Sequence, residues 1–126
     1  MKLRTVTVNC VDVDLMKAFY EKLGCQFEKF QVSKGAGGFR CEWSDFEMKL
    51  TQVNATQPAR SPLIQLSFTV PQIEHIFEKI KIDFEHLIMM EPFHSKEGLL
   101  VMLLNDPQGN SVEVISEHSG SLRDPL

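Results

Sequence analysis

Hydrophobic and polar residues alternate along several short stretches of the chain, and two amphipathic helical stretches lie among them. In residues 3–11, Val6, Val8 and Cys10 share one face, while polar side chains occupy the other. This period of two predicts a half-buried strand. The same analysis predicts strands at 3–11, 25–32, 39–44 and 47–53, then at 63–70, 86–91, 99–104 and 111–116, with helices near 14–23 and around 73–80.

Both predicted helices carry an apolar stripe and recognisable end signals. Asp12 and Asp14 are suitable N-cap residues for the first helix, and Gly24 stands where a C′ glycine belongs. Pro71 lies at or near the first turn of the second helix, where its missing N–H is tolerated. The two stripes are Leu15, Met16, Phe19 and Leu23, and Ile73, Ile76, Phe77 and Ile80.

The chain nearly repeats itself. Residues 19–30 are FYEKLGCQFEKF and residues 76–87 are IFEKIKIDFEHL, so that Cys25 aligns with Ile82 and Phe27 with Phe84. Each copy follows a strand-like run, which predicts two copies of one supersecondary unit. Two similar halves that face each other would leave a cleft for a ligand.

The length of 126 residues predicts one domain. Within it we predict a first module at about 1–53, a polar linker at 54–62, a second module at about 63–116 and a tail at 117–126. The formal net charge of -4 argues against binding to nucleic acid and is mildly compatible with a cationic ligand.

Three cysteines without a CxxC pair predict reduced, packed thiols rather than a redox or metal site. We expect no secretion signal and no membrane contact, because the longest apolar stretch, residues 99–104, is too short to span a bilayer. The expected location is cytoplasmic.

Common catalytic patterns are missing from the sequence. The four histidines show no HxH, HxxxH or HExxH spacing, and KGAGG lacks the Gly-Lys-Ser/Thr ending of a P-loop. We therefore interpret the KGAGG segment as a loop and assign no catalytic residue.

Two segments carry a family resemblance. DVDLMKAFYEKLGCQF in the first half and NDPQGNSVEVI in the second resemble the vicinal oxygen chelate superfamily, which includes glyoxalase I, extradiol dioxygenases, fosfomycin-modifying enzymes and bleomycin-resistance proteins. The matching residues are Asp12, Phe19, Tyr20, Leu23, Gly24, Asp106, Pro107, Gly109, Asn110 and Glu113. The resemblance implies an α+β fold of two βαβββ modules, which form an open, U-shaped mixed sheet with one helix per module on the outer face. It also implies a homodimer.

Enzymes of this superfamily usually hold a divalent metal, and the resemblance maps the ligand positions onto Thr5, Lys49, Gln65 and Glu113. Lys49 would repel a metal, and Thr5 is a poor ligand. A register shift of two residues would bring Glu47 into the place of Lys49. We expect no metal and no other cofactor.

The cleft that the resemblance implies would combine polar groups with apolar walls. The expected ligand-binding residues are Thr5, Thr7, Trp43, Lys49, Gln65, Ser67, Val101, Leu103 and Glu113. Trp43 would be a stacking surface, with Phe39 and Phe93 as further aromatic walls. Trp43 and Phe39 fit equally well as core or dimer contacts, because the strand parity around them is ambiguous.

Three functions remain open at this stage. The first is a metal-free binding protein of the glyoxalase/bleomycin-resistance type, in which Glu113 pairs with a small, partly aromatic and cationic compound. The second is a metal-dependent lyase, isomerase or dioxygenase, with Glu113 and Gln65 as ligands completed by Glu47 or by a second chain. The third is an accessory domain without a small ligand.

Overall fold

The computed structural model describes residues 1–31, 37–53 and 64–116, which form two modules with the same order of elements. Module one contains β1 (Thr5–Cys10), α1 (Val13–Lys22), β2 (Glu28–Gln31), β3 (Gly37–Trp43) and β4 (Phe46–Gln52). Module two contains β5 (Gln65–Val70), α2 (Ile73–Phe84), a 3-10 turn (Glu85–Leu87), β6 (Ile88–His94), β7 (Leu100–Asn105) and β8 (Ser111–Ser116). The predicted linker and tail lie outside the described residues, as do residue 32 of the strand predicted at 25–32 and residues 33–36 of the loop that follows it.

Each module builds a four-stranded mixed sheet, ordered β1-β4-β3-β2 in module one and β5-β8-β7-β6 in module two. Only the first and last strands of each module are parallel, and all other neighbours are antiparallel. A helix between the first strand and its parallel partner makes the crossover that such pairing needs. The predicted α+β class with two βαβββ modules in an open arrangement is confirmed.

One face of each sheet is covered by the helix of its module. Val8 and Cys10 of β1 are 3% and 0% exposed, because they point to the side on which α1 packs against β3 and β4. We call the opposite, uncovered face of each sheet its open face. On β1 the open face carries Thr5, Thr7 and Asn9, and on β5 it carries Gln65, Ser67 and Thr69.

The predicted ends of α1 are confirmed, but one position of its apolar stripe is wrong. The Asp12 side chain accepts a hydrogen bond from the Leu15 backbone N–H at 3.1 Å, and Gly24 follows the helix with a φ of 109°. Leu15 is 43% exposed, whereas Tyr20 is fully buried. The buried stripe is centred one step further along the helix, on Met16, Phe19, Tyr20 and Leu23.

The repeat is structurally equivalent only as far as the end of α1. Cys25 is 6% exposed in the loop after α1, whereas its predicted counterpart Ile82 lies in the last turns of α2 and is 73% exposed. The cause is Gly24, which ends α1. The residue aligned with it in the second copy is Lys81, and α2 continues past that position to Phe84. The strand predicted from His86 begins at Ile88, after the 3-10 turn.

The modules are joined through a shared core and one buried polar contact. The Phe19 ring lies 5.4 Å from that of Phe84, and the Tyr20 ring lies 5.8 Å from that of Phe68. The Tyr20 hydroxyl donates to Asp106 Oδ2 at 2.6 Å, and Asp106 is 1% exposed. Helix α1 is therefore held directly against the turn before β8.

Asp106 also organises the predicted turn at residues 106–110. Its Oδ1 accepts hydrogen bonds from the backbone N–H groups of Gln108 and Asn110, each at 2.9 Å. The Asn110 side-chain amide donates to Asp106 Oδ2 at 2.8 Å. With the Tyr20 hydroxyl, the buried carboxylate thus receives four hydrogen bonds, which compensate for the loss of water around its charge.

Two glutamine side chains bind the backbone where β1 leads into α1. Gln108 Oε1 accepts from Val11 N, and its Nε2 donates to Asn9 O, both at 2.6 Å. Gln52 Oε1 accepts from Val13 N at 3.0 Å, and its Nε2 donates to Val11 O at 2.6 Å. Each side-chain amide thus bonds one backbone N–H and one backbone C=O group within residues 9–13, as a neighbouring strand would.

Candidate functional site

Three rows of side chains cross the open face of module one, because its strands pair residue by residue. The middle row is basic at its centre, where Lys49 and Arg40 are direct partners on β4 and β3. The rows, read from β1 outwards, are Thr5, Glu47 and Glu42; then Thr7, Lys49, Arg40 and Glu28; then Asn9, Thr51, Gly38 and Phe30.

The two basic side chains of the middle row have only long ion pairs. Lys49 Nζ lies 4.0 Å from Glu47 Oε1 and 5.3 Å from the centroid of the Phe30 ring. Arg40 Nη2 lies 3.5 Å from Glu28 Oε1. The Arg40 Nε atom is buried and has no hydrogen-bond partner within the described part of the chain.

In the described part of module two, the carboxylate of Glu113 lies on the open face between polar side chains of β5 and aliphatic side chains of β7. Ser67, Glu113 and Leu103 form a row across β5, β8 and β7, and the Ser67 hydroxyl donates to Glu113 Oε1 at 2.6 Å. Val101 and Ile115 form the next row of the same face. Val101 is only 6% exposed, so this face is closely packed beside the carboxylate.

Eight of the nine predicted ligand-binding residues therefore lie on open faces. Module one contributes Thr5, Thr7 and Lys49, and module two contributes Gln65, Ser67, Val101, Leu103 and Glu113. The structure brings the members of each group together on a single sheet. The two groups come from different sheets, and no hydrogen bond or ion pair joins them within residues 1–31, 37–53 and 64–116.

Trp43 does not lie on either open face, and its role as a ligand contact stays a prediction. It alternates with Glu42 on β3 and therefore lies on the helix-facing side of the sheet, as the buried Cys41 does. Its ring stacks on that of Phe46, with 6.0 Å between the ring centroids, and its centroid lies 6.4 Å from that of the Phe68 ring in module two. Phe39 shares this side, and Lys17 of α1 lies over its ring.

A cleft of about 390 Å³ lies beside Trp43 at the β3–β4 turn. Charged groups of both signs line it, and Lys2 already pairs with Asp45 at 3.0 Å. The lining residues are Lys2, Arg4, Glu42, Trp43, Ser44, Asp45, Phe46 and Glu47. This cleft is separate from the row that contains Glu113.

The residues at the implied metal positions do not fit a divalent ion. The register places Lys49 beside Thr7 and Glu47 beside Thr5, so both lie on one open face and the ammonium group stays next to the carboxylate. Within the described residues, no group of three or more His, Cys, Asp or Glu side chains is arranged to hold a metal. A hydroxyl, an ammonium group, an amide and one carboxylate make a poor donor set for Zn²⁺ or a similar ion.

Buried thiol and phenol groups are also unsuited to nucleophilic chemistry. Burial, with a smaller contribution from nearby Asp106, raises the pKa of Cys10 to about 12. Burial also raises the pKa of Cys25, with a further contribution from Cys41, and raises the pKa of Tyr20, with Asp106 as the second cause. These groups stay protonated at neutral pH, so none supplies a thiolate or phenolate nucleophile.

Sequence reasoning missed Arg40 and Phe30 as members of the open face. Gly37 and Gly38 belong to β3, although the glycine-rich composition predicted a loop there. A Cβ atom on Gly38 would collide with the Leu50 carbonyl oxygen, so glycine permits the close approach of β3 to β4. The predicted strand at 39–44 already puts Arg40 and Trp43 on opposite sides, but only the packing of α1 shows which side is covered.

No helix in the described part of the chain is long and apolar enough to cross a membrane; α1 has 10 residues and α2 has 12. Neither a protein-family model nor a curated protein sequence matches the chain.

Solved structures do resemble the fold across almost its whole length. An integron cassette protein from the mobile metagenome of Vibrio cholerae is 20% identical, with a TM-score of 0.63 over 93% of this chain and 95% of that one. A proposed glyoxalase from Bacillus halodurans is 18% identical, with a TM-score of 0.63 over 90% and 94% of the two chains. A lactoylglutathione lyase from Agrobacterium tumefaciens is 14% identical, with a TM-score of 0.61 over 92% and 93%.

At these identities the similarity concerns the fold and not the chemistry. The chain therefore has the paired βαβββ fold of these solved structures, which include a proposed glyoxalase and a lactoylglutathione lyase.

Proposed function

We propose that this chain is a metal-free small-molecule-binding protein of the glyoxalase/bleomycin-resistance type, which sequesters a partly aromatic compound that carries a cationic group. The observation that carries the proposal is the position of Glu113 on the open face of module two, with Leu103 as its row neighbour and Val101 in the next row. Apolar walls with a few fixed polar groups are typical of small-molecule sites.

The contact with Ser67 supports a role for Glu113 in binding. Its hydroxyl donates to Oε1, so the carboxylate is oriented while Oε2 has no partner within the described residues. A carboxylate beside apolar groups attracts an organic cation more strongly than one surrounded by water, because the local dielectric constant is lower. A flat apolar part of the ligand would pack on Leu103 and its neighbours.

The donor set supports the metal-free form of this proposal. Lys49 stands at one implied ligand position, and Glu113 is the only carboxylate among the four. A metal-dependent lyase, isomerase or dioxygenase would need further ligands from elsewhere. Elemental analysis of the purified, untagged protein separates these functions, because about one metal ion per chain would favour the enzyme.

The binding test uses benzylammonium as the cationic probe and benzyl alcohol as a neutral probe, both titrated by calorimetry. We expect the wild-type protein to prefer the cation, and Glu113→Gln to weaken its binding by about tenfold, the scale of one charge-assisted contact. Glu74→Gln, on the exposed surface of α2, is the matched control and should leave affinity unchanged. Equal affinity of the wild-type protein and Glu113→Gln for the cation would contradict the proposal.

We also propose that the protein forms a homodimer in which a second copy helps to enclose the open faces. The family resemblance supports it, because many proteins with a single pair of such modules share strands or pockets across a two-fold axis. Sedimentation at micromolar concentration in low and high salt tests it, and a monomer in both conditions would contradict it.

The proposed location is the cytoplasm, since all three cysteines are free, and cell fractionation tests this.

A further inference from the structure

We propose that the open face of module one holds an oxyanion-binding site, formed by Thr7, Lys49 and Arg40. These residues are consecutive partners on β1, β4 and β3, so their side chains leave the sheet in one row. The ligand is a small organic molecule that carries a carboxylate or phosphate group. This site lies on a different sheet from Glu113 and does not depend on its role.

The row combines three kinds of hydrogen-bond donor. Neighbouring strands lie about 4.8 Å apart, and the long Lys and Arg side chains converge easily over such distances. Lys49 supplies an ammonium group, Arg40 a planar guanidinium fork and Thr7 a hydroxyl without a hydrogen-bond partner within the described residues. A carboxylate or phosphate has enough acceptor oxygens to engage all three.

The orphaned Nε atom of Arg40 indicates that one N–H of the guanidinium group lacks a partner within the described residues. A buried N–H without an acceptor destabilises the folded protein, and the structure offers no acceptor for this one within its described residues. The guanidinium has one ion pair, to Glu28, whose acidic side chain is 66% exposed and whose oxygen lies 3.5 Å away. Because that contact is long, an oxyanion can compete for the Nη atoms, and a rotation of the fork that uncovers Nε would let Nε bind the same group.

Like charges oppose each other at the centre of the row. Lys49 and Arg40 are direct partners on antiparallel strands, a placement that destabilises a sheet unless a counterion is near. Glu47 compensates only partly, since its Oε1 lies 4.0 Å from Lys49 Nζ and already accepts the Thr5 hydroxyl at 3.1 Å. An anion bound between the two cations would neutralise both.

The neighbouring row adds an aromatic surface. Phe30 lies beside the basic row, close enough that Lys49 Nζ is 5.3 Å from its ring centroid. A ligand held by its oxyanion would be able to lay a flat apolar part over this ring. Benzoate and phenyl phosphate combine both features, and benzamide offers the same ring without the charge.

The test is titration of the wild-type protein with benzoate, phenyl phosphate and benzamide, followed by calorimetry and by NMR of the amide signals. We expect at least one of the two anions to bind. The anion with the higher affinity identifies the recognised group as a carboxylate or a phosphate. Benzamide should bind at least about tenfold more weakly than that anion. The largest amide shifts should fall on β1, β3 and β4.

Variants assign the binding to the row. Arg40→Gln and Lys49→Gln should each weaken anion binding by about tenfold or more, and Thr7→Val by a smaller factor. Lys79→Gln, which removes an exposed charge from α2, is the control for net charge and should change nothing. The proposal is overturned if neither anion binds, if benzamide binds as tightly, or if both charge variants retain wild-type affinity.

Discussion

The buried hydrogen bond between Tyr20 and Asp106 offers a sharp test of how the modules are held together. Tyr20→Phe removes only the hydroxyl that donates to Asp106 Oδ2 at 2.6 Å, and both residues are almost fully buried. Three hydrogen bonds to the carboxylate remain, from Gln108 N, Asn110 N and Asn110 Nδ2. The variant therefore isolates one contact between α1 and the turn before β8.

The expected loss follows from the charge of the acceptor. A hydrogen bond to an ionised group contributes about 1.5–3 kcal/mol, more than one between neutral groups. The phenylalanine also leaves a gap the size of one oxygen atom beside a buried carboxylate. We expect a loss of about 2 kcal/mol in the free energy of unfolding, or roughly 8 °C in Tm for a chain of this length.

The measurement is equilibrium unfolding in urea, followed by far-UV circular dichroism, with the slope m checked for constancy. Thr51→Val is the matched control, because it removes a hydroxyl that donates to Asn9 Oδ1 at 2.8 Å in an exposed position. It should change stability by less than about 0.5 kcal/mol. If Tyr20→Phe costs no more than this control, the buried contact does not stabilise the protein as argued.

Three further predictions concern groups outside the open faces. Gln108→Leu removes both side-chain hydrogen bonds to β1 and should lower stability by about 1 kcal/mol in the same urea assay, since water replaces part of the loss. Burial, and secondarily Asp106, raise the pKa of Tyr20 above its ordinary 10.0, so its contribution to stability is complete below that pH and declines as the pH rises further. Tyrosinate absorbance should therefore appear only with unfolding, and a normal phenol titration of the native protein would disprove this. Cys10, Cys25 and Cys41 are buried thiols, so a disulfide reagent at pH 8 should modify them quickly in urea and slowly in the native protein.

Local features of the fold could be predicted from the sequence, because each depends on a few neighbouring residues. Asp12 and Gly24 mark the ends of α1, and the turn at residues 106–110 follows from its composition. The exposed Leu15 shows the weakness of this approach. An apolar side chain fits a stripe on either side of Phe19, and only the packing of module two around Tyr20 decides which side is buried.

The candidate site was predictable only in part, because it depends on strand register. The alternation in β1 and β8 correctly grouped Thr5 with Thr7 and placed Glu113 on an open face. Nothing local indicates that Lys49 pairs with Thr7 in parallel, since 42 residues separate them and α1 forms the crossover. Alternation in β3 separates Arg40 from Trp43, but nothing local shows which of the two sides α1 covers, so the sequence alone does not tell that Arg40 lies on the open face.

Trp43 has a practical consequence that goes beyond packing. It is the single tryptophan of the chain, and its ring lies near Phe46 of its own module and Phe68 of the other. Its fluorescence therefore reports on whether the modules remain docked, while circular dichroism reports on their helices and strands. If the emission changes at a lower urea concentration than the dichroism, the halves separate before they unfold; coincident curves mean that they unfold as a single cooperative unit.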